Sequence, residues 1–267
     1  MQAQIHAPRT GYAYNLLDNS DFRNPVNQRG QTSYTAAGYT IDRWAVTSGL
    51  TVGGAGVTSP GGNYLYQMIT QAAIPAGTYT GAMGLADGTV ICGSAIYTAS
   101  DDACMIITNE DLSMYLLRQG TVVQLAINTI TEKTIVWAAL YEGEYTADTL
   151  PPYQPKGYAV ELAECQRYYQ VLPETSSCIF SISPQSGRYF SNSFALNPMR
   201  ASPNVTFVTD DNGNIGIVQG VSLVSASEIN IVYNDRVKNG ILLLSTTNAA
   251  YAGLVMSFNG IQFSADL

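Results

Sequence analysis

Few residues of this chain are equipped for covalent or acid–base chemistry. Histidine occurs once, as His6. A Ser-His-Asp or Cys-His arrangement needs a positioned imidazole, and His6 lies in an N-terminal stretch without periodicity. Paired carboxylates for glycoside hydrolysis are offered by Asp101-Asp102, by Glu142 with Glu144, and by Asp210-Asp211. Adjacent acids on a strand point to opposite faces, whereas Glu142 and Glu144, two apart, can share one. Cys92, Cys104, Cys165 and Cys178 stand at spacings of 12, 61 and 13 and form no Cys-x-x-Cys pair, which argues against zinc. Cys92 and Cys104 could face each other across a hairpin, but four buried thiols is the simpler reading. Asp210, Asn212 and Asn214 begin like a calcium loop, yet glycine falls at its fourth position and Val221 at its twelfth, where a glutamate is needed. A hairpin turn is the better reading there. Gly53-Gly54-Ala55-Gly56 is flanked by strand-like text with no helix after it, so it reads as a flexible loop and not a phosphate cradle. A hydrolase is therefore the weakest functional class, and no metal or cofactor is expected.

Aromatic surface is what remains. The chain has 18 tyrosines, more than two cores of this size need. Tyrosine offers an apolar face for a sugar ring and a hydroxyl for its edge. Tyr34 and Tyr39 sit in a Gly/Thr-rich loop, Tyr64 and Tyr66 share a strand face after Gly61-Gly62, and Tyr97 ends a strand beside Asp101 and Asp102. Sheet packing or subunit contact is the simplest reading of each alone. As a group, Tyr34, Tyr39, Tyr64, Tyr66 and Tyr97 are the ligand-binding candidates.

The elements that must position them are strands. From Tyr14 onward, short Thr-, Val-, Ile- and Tyr-rich runs alternate with turn signals such as Gly61-Gly62, Asp87-Gly88, Asp211–Gly213, Asn239-Gly240 and Asn259-Gly260. Strands are expected over 64–70, 89–98, 121–129 and 134–141, then over 178–183, 188–196, 204–209, 215–219, 228–234, 241–246, 252–258 and 261–265. A spacing of about 8–12 residues indicates antiparallel sandwiches. Residues 158–169 differ: Val160, Leu162, Ala163, Cys165 and Tyr169 fall near helical spacing, with Glu161 and Glu164 early and Arg167 late, as the helix dipole favours. The preceding 148–157, with three prolines and a glycine, reads as an extended connector. The expected architecture is all-β: an arm over 1–12, a jelly-roll-like sandwich over 13–157, and a smaller antiparallel sandwich over 158–267, with one short helix at the junction. Trp44 and Trp137 are both expected in a core, Trp137 on an inward face with Ile135 and Ala139.

Composition narrows the partners. Charged residues make up 12% and hydrophobic residues 46% of the 267, which excludes disorder and helical bundles. Net charge is −8, with 12 scattered basic residues and no basic face for nucleic acid or an anionic membrane. No apolar run reaches the length of a membrane span. The opening MQAQIHAPRTGYAY lacks the basic start and apolar run of a signal peptide, so the product is expected to stay in a cytoplasm or leave by lysis.

Three segments carry a resemblance. NLLDNSDFRNPVNQRGQTSYTAAGYTIDRW at 15–44 is similar to the start of a domain of bacteriophage and prophage tail-fibre-like proteins, itself like jelly-roll carbohydrate-binding modules. The pattern N-L-(L/I)-x-N-x-x-F, then R-W, falls on Asn15, Leu16, Leu17, Asn19, Phe22, Arg43 and Trp44. ELAECQRYYQ at 161–170 resembles an ELxxCQRYY motif of phage fibre C-terminal regions, and NPMRASPNVTF at 197–207 resembles the PMRxxPTV segment that follows it. The resemblance implies a homotrimeric virion appendage, assembled in the host bacterial cytoplasm, with other virion proteins and a host-surface carbohydrate as partners. The alternative is a purely structural head or tail component, docked through the arm. Carbohydrate-binding jelly rolls often place an acidic calcium ligand after the phenylalanine; here that position is Arg23, which argues against such a site.

Overall fold

The computed structural model describes residues 13–98, 100, 102–172, 177–179, 181–182, 189–190, 194–218, 221–232, 241–246 and 255–265. Within them the chain is all-β, with one short α-helix, and it divides into two units, Met1–Glu161 and Leu162–Leu267.

The first unit is a sandwich of two six-stranded antiparallel sheets. Its strands are β1 (Ser33–Tyr34), β2 (Gly38–Tyr39), β3 (Trp44–Val46), β4 (Leu50–Gly53), β5 (Gly56–Ser59), β6 (Asn63–Thr70), β7 (Gly77–Leu85), β8 (Val90–Tyr97), β9 (Ala103–Thr108), β10 (Leu112–Gln119), β11 (Val122–Thr129) and β12 (Lys133–Glu142). The first sheet runs β1-β4-β5-β12-β7-β8 and the second β2-β3-β6-β11-β10-β9. Alternation sets the faces. In β6, Leu65, Gln67 and Ile69 point inward and are buried, while Tyr64, Tyr66 and Met68 point outward. The inward residues of both sheets, among them Leu17, Phe22, Trp44, Met83, Met114, Leu125 and Leu140, form one core. Trp44 is fully buried and meets Phe22 edge to face, with ring centroids 5.1 Å apart. Gly81 admits the Met114 sulfur from the opposite sheet, since a Cβ there would lie 2.3 Å from it.

Two expectations are corrected. Trp137 does not share an inward face with Ile135. The β12–β7 register shifts between them, so Ile135 stays in the core while Trp137 turns to the outer face. There its indole lies over Gly84 and stacks on Tyr153, 4.7 Å between centroids and 11° between planes. The proline-rich connector is therefore packed onto the first sheet through Tyr153. Segment 16–22 is also fixed to β12: Leu16 and Phe22 donate their amides to the Leu140 and Val136 carbonyls, and Ala138 donates to Ser20.

The second correction concerns the helix. Helix α1 (Tyr158–Cys165) ends before Arg167, and its buried positions are Glu161 and Cys165, whereas Val160 and Ala163 are exposed. Tyr169 belongs to a strand. Of the apolar stripe read from the sequence, Cys165 alone is fully buried on the helix, and Glu161 is buried beside it because it finds a specific donor described below.

The second unit holds β13 (Tyr169–Leu172), β14 (Ser177–Ile179), β15 (Ser181–Ile182), β16 (Tyr189–Phe190), β17 (Phe194–Ala195), β18 (Asn204–Phe207), β19 (Asn214–Val218), β20 (Val221–Ser225), β21 (Asn230–Val232), β22 (Ile241–Thr246), β23 (Val255–Phe258) and β24 (Ile261–Ser264). All described pairings are antiparallel: β13-β24-β18, β14-β23-β19-β20, and β15-β16-β22-β17 with β21 also on β22. Ile215, Val224, Leu244, Met256, Phe258, Ile261 and Phe263 form its core.

Candidate functional site

The residues of the opening motif build the fold and are not free for a ligand. Asn19 sits at φ 51°, a left-handed conformation that asparagine tolerates. Its side chain donates to the Val26 and Asp42 carbonyls at 2.8 and 2.7 Å and accepts from the Val26 amide at 2.7 Å. Its own amide donates to the Glu161 carboxylate at 2.6 Å. Asn15 accepts from Leu17 and Leu140 amides, which ties the segment to β12. Trp44 Nε1 donates to the Asp18 and Asn19 carbonyls. Arg43, buried at φ 70°, reaches Asp18 at 3.1 Å and the Met68 carbonyl at 2.8 Å. Asp18 also meets Lys156 at 3.3 Å. In the second unit the other two motif segments meet each other. Gln170 and the Asn197 backbone exchange two hydrogen bonds, and the Arg200 guanidinium lies 5.4 Å from the centre of the Tyr168 ring.

The candidate tyrosines separate. Tyr97 is a correction: it is fully buried, edge-to-face against Tyr79, and cannot be a ligand platform. Its position at the strand end suggested exposure, but its side chain falls on the inward face of β8. Tyr34 lies on β1 of the first sheet, packs partly on the core and donates its hydroxyl to Asn27 at 2.8 Å. Burial raises its pKa, against the lowering influence of nearby Arg29. Tyr39, Tyr64 and Tyr66 are brought together, all on the outward face of the second sheet.

Register makes that face an ordered array. Tyr39 on β2 is paired with Ala45 on β3, Ala45 with Tyr66 on β6, Tyr66 with Ala126 on β11, Ala126 with Tyr115 on β10, and Tyr115 with Met105 on β9. Directly paired residues share a face, so one row crosses all six strands, with buried alanines separating three half-buried tyrosines. Strand spacing puts successive tyrosine positions about 9.6 Å apart. The row ends in Met105, 52% exposed. Beside it, the next row pairs Tyr64, 37% exposed, with Asn128 and then Ser113. Ser113 donates to the Tyr115 hydroxyl at 2.8 Å, which lays that ring along the sheet. At the other end, the Arg29 guanidinium covers one face of Tyr39, 5.3 Å from its centre. Tyr115 and Met105 escaped the sequence reading. Each lies on a strand not expected from sequence, and only the pairing register aligns them with Tyr66.

The remaining groups stay apart from this face. Glu142 ends β12, and Gly143 at φ 105° breaks the strand before Glu144, so the two acids do not share a strand face. Asp102 is exposed and pairs with Arg118 at 3.6 Å, while Asp101 and His6 lie outside the described residues. Asp210 accepts from the Asn214 side chain and from the Asn214 and Asn212 amides, closing a tight turn, and these bonds, the Asn214 side chain's foremost, lower its pKa. The flanking β18 and β19 pair in different sheets, so the turn is not that of a hairpin. Gly53–Gly56 is the turn of the β4–β5 hairpin. Cys92, Cys104 and Cys165 form no disulfide among the described residues; Cys92 is half-buried and not fully so, and the side chain of Cys178 lies outside the described residues.

No family model, no curated protein and no solved structure matches the chain.

Proposed function

We propose that this chain is a virion appendage protein that binds a host-surface glycan without turning it over. The binding surface is the outward face of the second sheet. The observation that carries this reading is the row Tyr39, Tyr66, Tyr115 with Ala45 and Ala126 between them. Flat apolar rings at even spacing suit pyranose faces, and small residues between them leave shallow grooves for successive sugars. Asn128, Gln124 and the tyrosine hydroxyls supply edge hydrogen bonds on the same face. The phage assignment rests on the three motif segments.

The test is binding of the purified chain to a panel of bacterial surface polysaccharides, with Tyr66→Ala and Tyr115→Ala variants alongside. Saturable binding by the wild type, lost in both variants and unaffected by Tyr34→Ala, is the expected result. Binding that survives both substitutions removes this face from the mechanism. Incorporation into particles without binding to the host cell surface moves the assignment to a purely structural virion component.

A further inference from the structure

The two lateral sides of the first sandwich are built differently. On one side the sheets end in β1 and β2, two residues each, which offer almost no template for another strand. On the other side they end in β8, eight residues long, and β9, six residues long. The sequence of β8 is VICGSAIY and that of β9 is ACMIIT. Neither contains a charge or a proline, the usual devices that blunt an edge. β8 pairs with β7 along its whole length, and among the described residues no strand pairs with its outer edge. On its outward face Val90 is 53% and Ile96 70% exposed, while Cys92 and Ser94 between them are half-buried and the Ser94 hydroxyl donates to the Tyr145 carbonyl. β9 packs directly beneath it, with the Ile106 carbonyl against Gly93 and the Cys104 thiol donating to the Ile96 carbonyl.

We infer that β8 is a subunit interface, pairing antiparallel with β8 of a second copy of this chain about a two-fold axis at Gly93, in place of the homotrimer that the motif resemblance implies. An unpaired strand edge calls for another strand, because only a strand supplies alternating donors and acceptors at matching spacing. The register selects the second copy. With Gly93 on the axis, Val90 of one chain faces Ile96 of the other, twice, and Cys92 faces Ser94, twice. The two most exposed apolar residues of the strand thus cover each other, and outward residues meet outward residues, as a continuous sheet demands.

The experiment uses the full chain in analytical ultracentrifugation, with three variants. The wild type is expected at twice the chain mass of 28.6 kDa. Ile96→Lys places a charge opposite Val90 and is expected to weaken the dimer at least tenfold. Ile96 is so exposed that the fold survives, which an unchanged thermal unfolding curve verifies, and Val90→Lys repeats the test at the other end. Ser94→Cys sets a thiol opposite the Cys92 of the other copy, at the ~4.5–5.5 Å Cα separation of paired residues that a disulfide spans. Mild oxidation is expected to give a covalent dimer on non-reducing gels, abolished by adding Cys92→Ser. A monomer at all concentrations overturns the inference. So does an assembly, three-fold or other, that ignores Ile96→Lys and gives no Cys92-dependent cross-link.

Discussion

The amide of Asn19 donates to the carboxylate of Glu161 at 2.6 Å, joining residues 142 positions apart. Both are buried, and both belong to motif segments read independently from the sequence. The bond explains why a helix of eight residues buries a glutamate instead of its valine. Removing the acceptor leaves a buried amide unpaired. Glu161→Ala is therefore expected to destabilise the first unit by about 1.5–3 kcal/mol, the range for bonds to charged groups. Glu161→Gln keeps an acceptor oxygen and is expected to lose less. Chemical denaturation followed by the fluorescence of Trp44 and Trp137 reads both. An Ala variant as stable as the wild type would show the contact to be idle.

Tyr97 separates packing from binding. Its hydroxyl is buried and has no hydrogen-bond partner among the described residues. Tyr97→Phe deletes an unsatisfied polar atom and keeps the edge-to-face contact with Tyr79. The variant is expected to be as stable as the wild type or more so, with glycan binding unchanged. A drop in stability greater than ~1 kcal/mol would mean that the hydroxyl has a partner, such as an interior water.

What was legible in the sequence was the alternation within long strands. The expected strands at 64–70, 121–129 and 134–141 match β6, β11 and β12 within a residue or two. β7 was missed because GTYTGAMGL is buried almost throughout and does not alternate. β1 and β2 are too short to show a period. Trp137 was assigned to the wrong face because a register shift with one extra residue inverts everything after it, and no local signal marks it. The candidate face was half legible. Tyr64 and Tyr66 share a face by simple parity, but Tyr39 and Tyr115 join them only through the strand order β2-β3-β6-β11-β10, a long-range property. Tyr97 illustrates the reverse: being near a strand end says nothing about burial when the parity points inward.

If the tyrosine row binds sugar, filling its grooves is as harmful as removing its walls. Ala126 lies between Tyr66 and Tyr115 and is fully buried beneath the outward face. Tyr66→Ala and Tyr115→Ala are each expected to weaken binding at least about fivefold, the ~1 kcal/mol that marks an energetically important contact. Ala126→Val, which raises the groove floor, is expected to weaken it as well, whereas Tyr34→Ala is expected to bind with wild-type affinity. Titration calorimetry with the polysaccharide found on the panel gives these ratios. If Tyr34→Ala weakens binding and Tyr66→Ala does not, the ligand lies on the first sheet.

Alkaline pH should unfold the first unit before it harms a typical surface. Burial pushes the phenols of Tyr79 and Tyr141 up to about 12, and it raises Tyr153 as well. The neighbouring Glu142 carboxylate adds to the shift at Tyr79, and Tyr145 to that at Tyr141. A phenol that ionises near 10 when unfolded but near 12 when folded favours the folded state fully below pH ~10. Above it, the unfolded chain sheds protons that the folded chain keeps, so stability falls as pH rises through that window. Stability is expected to be level from neutral pH to about 9 and then to decline steeply, with a late step in tyrosinate absorbance that coincides with unfolding. Tyr153→Phe removes one of the raised phenols while keeping the stack on Trp137, so it is expected to make that decline shallower. An unchanged alkaline slope in Tyr153→Phe would place the shift of Tyr153 in the unfolded chain as well as the folded one.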